Sequence, residues 1–137
     1  MDANEWNTAI IKEFRENSGT VGGQFAGTPL LILHTIGARS GKERVNPLAY
    51  VVDGDRTIIF ASKAGAPTNP GWYHNLVAKP GVTVEVGTET YRANACVLEG
   101  EERERIWTEQ KRRVPQFAEY EAGTTRTIPV IALERTA

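Results

Sequence analysis

The stretch LLILHTIGARSGKERVNPLAYVVDGDRTIIFAS (30–62) decides the fold. Its opening, Leu30 to Ile36, is an apolar run interrupted only by His34 and Thr35, which suits a strand buried on both faces. Gly37 to Lys42 has the glycines and polar residues of a turn. Val45 to Val52 predicts a second strand. Pro47 inside it marks an edge or a bulge, because proline donates no ladder hydrogen bond. Asp53-Gly-Asp55 is a tight-turn signal, and Arg56 to Ser62 returns as a third strand, so the second and third form a hairpin.

Upstream, residues 4–16 predict a short amphipathic helix with Trp6, Ile10 and Phe14 spaced four apart. A Gly/Ser/Thr-rich loop over 17–29 follows it. This N-terminal segment, 1–29, is expected to dock on its own domain; laid over a pocket it can also serve as a lid, or touch a membrane surface peripherally. Downstream, Asn69-Pro70 starts a helix that runs from Gly71 to Lys79 and ends at Pro80-Gly81. Val82, Val84 and Val86 alternate with Thr83 and Glu85 as a strand, and a further strand runs from Thr90 to Leu98. Gly100 to Arg113 is a charged helix whose acidic start and basic end suit the helix dipole. A short helix over Gln116 to Ala122 and a closing strand over Ile128 to Leu133 complete the chain. About six strands and three or four helices, without regular strand–helix alternation, predict a mainly β protein with helices (α+β), a small barrel with helices outside. The whole chain, 1–137, reads as one domain.

Composition narrows the function class. Among 137 residues, 40% are hydrophobic and 24% charged, ordinary values for a soluble globular protein. A net charge of −1 gives no electrostatic reason to bind nucleic acid. The single cysteine, Cys96, has no intramolecular disulfide partner, and its apolar-alternating setting predicts a packing thiol. The N-terminus lacks the basic start and apolar run of a signal peptide, and no stretch approaches the ~20 apolar residues of a span. A cytoplasmic protein is expected. His34 and His74 have no Cys or carboxylate cluster at metal spacing, so no metal site is predicted.

Three segments can carry chemistry. In Gly37-Ala-Arg-Ser-Gly-Lys-Glu-Arg44, two glycines bracket a turn that carries Arg39, Lys42 and Arg44. Exposed amides plus arginine forks suit an anion, although basic hairpin turns are also common as merely solvated features. Ala61-Ser-Lys-Ala-Gly-Ala-Pro67 is rich in small residues, which let a flat ring approach the backbone, and Ser62 and Lys63 add polar handles. Asn69-Pro-Gly-Trp-Tyr-His-Asn75 sets three aromatic rings in a row at a helix start. There Trp72 can wall a cofactor or bury with Leu76 against the barrel.

Jointly these segments resemble the deazaflavin-dependent nitroreductase family of actinobacteria. The matching strings are 37–48, 61–67 and 69–76, with Arg-Thr-Ile-Pro-Val (126–130) as a fourth, all in the family's order and spacing. The resemblance implies a split β-barrel of the flavin-reductase (FMN-binding) type and reduced coenzyme F-420 as hydride donor, with flavin mononucleotide as the alternative cofactor. It implies Arg39, Lys42 and Arg44, with Ser40 in the same turn, around the phosphate and acidic tail. Asn46 and Pro47 are expected beside the ring system, and Ser62, Lys63, Gly65 and Ala66 against the deazaflavin with Trp72 nearby. The implied activity is hydride transfer to a quinone, nitroaromatic or similar planar conjugated acceptor; the alternative is a deazaflavin carrier without turnover. Tyr120 is the expected proton donor. The chain departs from the family's pattern at Val114 and Phe117, where further tyrosines are usual, and at Ala49, where an aromatic is usual. The acceptor pocket is therefore expected to be more apolar.

Overall fold

In the computed structural model, which describes residues 3–22 and 29–136, four helices surround one antiparallel sheet. The helices are α1 (Ala3–Glu16), α2 (Gly71–Ala78), α3 (Gly100–Arg113) and α4 (Gln116–Ala122). The strands are β1 (Leu30–Ile36), β2 (Glu43–Ala49), β3 (Val51–Asp53), β4 (Arg56–Phe60), β5 (Gly81–Val86), β6 (Glu89–Val97) and β7 (Val130–Arg135). Their order in the sheet is β2-β1-β5-β6-β7-β4-β3. Strands β2 and β3 stand at opposite ends of that order, yet only Tyr50 separates them in the chain. The sheet must therefore curl until its edges meet in one bent strand, which makes the expected barrel.

The strand expected over Val45 to Val52 thus breaks at Tyr50, while Pro47 stands on an edge as expected. The Tyr50 N–H leaves the ladder and donates to the Pro29 carbonyl at 3.3 Å. Pro47 lies opposite Ile32 in β2, a strand paired on one side only, where a missing donor is tolerated. The last strand starts at Val130, two residues later than expected. Pro129 has no N–H for a ladder, and its carbonyl instead accepts from Ala61 N at 3.0 Å. Residues 63–65, read as loop, form a single 3-10 turn. The loop segment 23–28 and the Trp6 side chain lie outside this description.

Strand alternation sorts the core into layers. From β1, Leu31 and Leu33 point inward to Trp72, Leu76, Val84 and Ile131. Leu30 and Ile32 point the other way and meet Phe14 of α1 together with Val21. A third cluster joins Trp107 and Ile106 of α3 to Ile58, Ile128 and Val130. Each large side chain removed from water here contributes roughly 1.5–3 kcal/mol. The apolar face of α1, with Ile10, Ile11 and Phe14, is therefore used within the domain.

Candidate functional site

A cleft of about 800 Å³ opens where three parts of the chain converge. Gly37, Ala38, Arg39 and Ser40 line it from the β1–β2 turn, and Arg44 and Asn46 from β2. Lys63 lines it from the 3-10 turn, and Pro70, Gly71, Trp72, His74 and Asn75 from the start of α2. Period-two alternation along β2 explains the choice of side chains: Arg44 and Asn46 face the cleft, whereas Val45 between them packs toward α1. Helix α1, expected to dock on its own domain with a lid as one alternative, thus lies on the opposite face of β2 from this cleft.

The basic turn is closed by its own backbone. Gly37 N donates to Lys42 O at 2.7 Å, and Gly41 N to Gly37 O at 3.0 Å. Gly41 sits at φ 72°, where a side chain would be strained. Ser40 Oγ accepts from Lys42 N at 3.2 Å. Helix α2 fastens the turn from outside through Asn75. Its Oδ1 accepts from Ala38 N at 2.9 Å, and its Nδ2 donates to the buried Thr35 Oγ1 at 3.1 Å. Arg39, Lys42 and Arg44 are all exposed.

The opposite wall, residues 61–69, is held by one guanidinium. Arg126 Nε donates to Ala66 O at 2.8 Å, and Nη2 to Ser62 O at 2.7 Å. Nη1 donates to both Ala61 O at 3.1 Å and Asn69 Oδ1 at 2.8 Å. Burial pulls the Arg126 pKa below the ordinary arginine value. Lys63 holds a left-handed backbone, φ 46°, and its Nζ donates to Thr68 Oγ1 at 3.2 Å. Behind the wall, Gly65 touches α4: a Cβ there would fall 2.9 Å from Tyr120 O. That glycine is needed for helix contact, whatever else approaches the loop.

Of the residues singled out from sequence, Arg39, Ser40, Arg44, Asn46, Lys63 and Trp72 line the cleft. Trp72 plays both parts foreseen for it, being 8% exposed in the core cluster and also a cleft wall. Lys42 points outward from the turn, and Pro47 lies on the other face of β2. Ser62 and Ala66 give their carbonyls to Arg126. Tyr120 does not reach the cleft lining; its ring lies edge-on to Phe117 at 5.4 Å, beside the Trp107 cluster. The sequence reading missed Asn75 and Arg126 as the residues that hold the walls, although both lie inside the matching strings. The signal available was polarity: an amide and a guanidinium embedded in otherwise apolar or small-residue motifs.

Other polar groups are engaged elsewhere. Glu85 accepts from His34 Nε2 at 2.6 Å and takes both Arg15 Nε and Nη2, at 3.0 and 2.7 Å, tying α1 to β5. Cys96 is half-buried and donates to Glu134 at 2.9 Å, and that carboxylate pushes the thiol pKa up, which suits an inert thiol. Among the described residues, no helix is long and apolar enough to cross a membrane, and no group of three His, Cys, Asp or Glu could hold a metal.

Comparison with known proteins places this geometry. A quinone reductase of Mycobacterium tuberculosis dependent on F-420H(2) is 36% identical over 126 residues, covering 89% of this chain and 85% of that one. A solved F-420-H2-dependent reductase, termed FDR-A, is 41% identical with TM-score 0.69, covering 77% of this chain and 94% of its own. A solved domain-swapped dimer is 33% identical with TM-score 0.72 and covers 97% and 100%. The curled antiparallel sheet with its outer helices is the split-barrel type of fold. Residues 6–135 match the F-420H(2)-dependent quinone reductase family, and the chain belongs to that family.

Proposed function

We propose that this protein is a reductase that takes a hydride from reduced coenzyme F-420 held in this cleft and delivers it to a quinone. The observation that carries the reading is the charge of the lining. Arg39, Arg44 and Lys63 converge there with no carboxylate among the lining residues. Such a site suits an anionic cofactor tail, and arginine forks bind phosphate through paired, charge-assisted hydrogen bonds. The cleft volume, about 800 Å³, also suits a cofactor-sized molecule. The residues present therefore fit the group that the family implies.

When bound, the deazaflavin supplies the hydride. The protein's part is to bind and orient. Arg39 and Arg44 hold the acidic tail, and Lys42 extends the positive field outward along it. Trp72 walls the ring system, and Asn46 beside it offers a polar contact. Pro47 stiffens β2, while Ser62, Gly65 and Ala66 act through the shape of the 61–69 loop. Tyr120, on the far side of that loop, is proposed to give a proton to an acceptor that approaches from α4. Nitroaromatics and related conjugated acceptors form the broader part of the proposal, and the apolar Val114 and Phe117 near α4 would favour flat, weakly polar ones.

The test begins with binding. Oxidised F-420 and flavin mononucleotide are titrated side by side into the protein and followed by fluorescence. Selective F-420 binding, followed by oxidation of F-420H2 with a menaquinone analogue, is the expected result. A preference for flavin mononucleotide would overturn the cofactor assignment. Tight F-420 binding with no turnover across quinones, nitroarenes and enones would favour a carrier instead. Tyr120→Phe should lower turnover without changing F-420 affinity.

A further inference from the structure

We propose that Arg126 is the positioning residue of the cofactor wall, setting the shape of the 61–69 loop from behind; the inference rests on the cleft being the F-420 site. Arg126 comes from the connection before β7, yet four oxygens of the loop converge on it: the carbonyls of Ala61, Ser62 and Ala66, and Asn69 Oδ1. They include both the entry and the exit of the loop. An irregular segment has no ladder to satisfy its carbonyls, and the guanidinium takes that place. A planar fork with five donors can meet four acceptors at fixed angles, which a lysine ammonium at the end of a flexible stem cannot do.

Two further observations make the loop's shape matter. Lys63 lines the cleft from a left-handed backbone, a conformation that persists in a non-glycine residue only where its surroundings over-determine it. Arg126 on the Ser62 carbonyl and the close approach of Gly65 to Tyr120 supply that constraint from both sides of Lys63. Among the described residues, no carboxylate shares the Arg126 hydrogen bonds. Its charge therefore also adds to the positive field of the wall, alongside Lys63. Arg126 lines no part of the cleft itself, so it acts through the loop.

The experiment compares the full chain with Arg126→Lys and Arg126→Ala, with two readouts. The first needs no cofactor: hydrogen exchange at the Gly65 and Ala66 amides, which bond to Ser62 O and Lys63 O at 2.9 and 3.0 Å. Both variants should raise exchange there about tenfold or more while β5 and β6 keep their protection. The second is the dissociation constant for oxidised F-420, expected to rise about tenfold in both variants, with methylguanidinium partly restoring Arg126→Ala. Arg126→Lys behaving as wild type, within about twofold in both readouts, would overturn the proposal. So would loss of protection spread across β6 and β7, which would mark a general folding role. If Arg126→Ala does not fold, Arg126→Lys decides by the same criteria. Failure of the wild-type protein to bind F-420 would instead overturn the functional reading, and the cofactor-free exchange would still decide what Arg126 does for the loop.

Discussion

The two walls of the cleft use charge in opposite ways. On the β1–β2 turn, Arg39, Lys42 and Arg44 are exposed, and the turn is held by neutral groups: its own backbone, Ser40 and the Asn75 amide. On the 61–69 loop the structural role falls to a charged group, Arg126, whose fork is met by four oxygens, and Lys63 lines the cleft. The contrast follows from solvation. An exposed cation keeps its water until a ligand arrives, so it adds to binding at little expense to folding. A partly buried cation must be fully hydrogen-bonded or it destabilises. Binding and stability should therefore separate on the first wall and travel together on the second.

The largest effect is expected where the core and the cleft share a side chain. Trp72→Ala removes a buried ring that also lines the cleft. It should cost about 3–5 kcal/mol in denaturant unfolding. A loss below about 1 kcal/mol would show that α2 is not packed as described. Next comes the first wall. Arg39→Ala combined with Arg44→Ala should weaken F-420 binding about 10- to 100-fold and flatten its salt dependence. Stability should stay within about 0.5 kcal/mol of wild type. A marked drop in melting temperature would break the proposed separation. Asn75→Ala tests the fastening of the same wall. It strands the buried Thr35 hydroxyl and frees Ala38, costing about 1–2 kcal/mol, with a weaker effect on affinity than the double arginine variant.

The smallest effect is expected on the far side of β2. Hydrogen bonding from Arg15, with a lesser contribution from His34, holds the Glu85 carboxyl pKa below its ordinary value, and burial opposes them in part. A depressed carboxyl pKa stabilises the fold above the unfolded value, about 4.3, and that stability is lost as pH falls through the folded value. Arg15→Ala should therefore remove about 1 kcal/mol or less at neutral pH, and the difference from wild type should shrink in acid. F-420 affinity at neutral pH should not change, because α1 lies on the other face of β2. A shift in affinity would join the two faces and sharpen the question of how α1 communicates with the cleft.

Much of this was legible because it is local. The apolar run of β1, the Asp53-Gly-Asp55 turn and the Pro70 helix start each depend on a few neighbouring residues, and each stands where periodicity puts it. The basic turn was equally legible as a cluster of charge, since Arg39 and Arg44 need no distant partner to remain exposed. Less legible were features whose cause lies far along the chain. The break at Tyr50 comes from the Pro29 carbonyl and from the need for one strand to serve both edges of the sheet. Gly65 reads as room for a ring, but the backbone of Tyr120 fills the space beside it. The seat of Tyr120 against Phe117 likewise follows from α4 carrying its aromatic residues toward Trp107, which no local pattern encodes.

The sequence by itself determined most of the strands and helices, the barrel class, the position of the basic turn and the family motifs, all set by short-range pattern and composition. Only the tertiary structure decided which charges stay exposed and which build. Arg39 and Arg126 are the same residue type in motifs of similar look. One is left in water by a tight turn, and the other is brought by the connection before β7 to a loop some sixty residues away in sequence, where it meets four oxygens. Hydrogen-bond satisfaction is a property of the folded neighbourhood, and no local spacing encodes it.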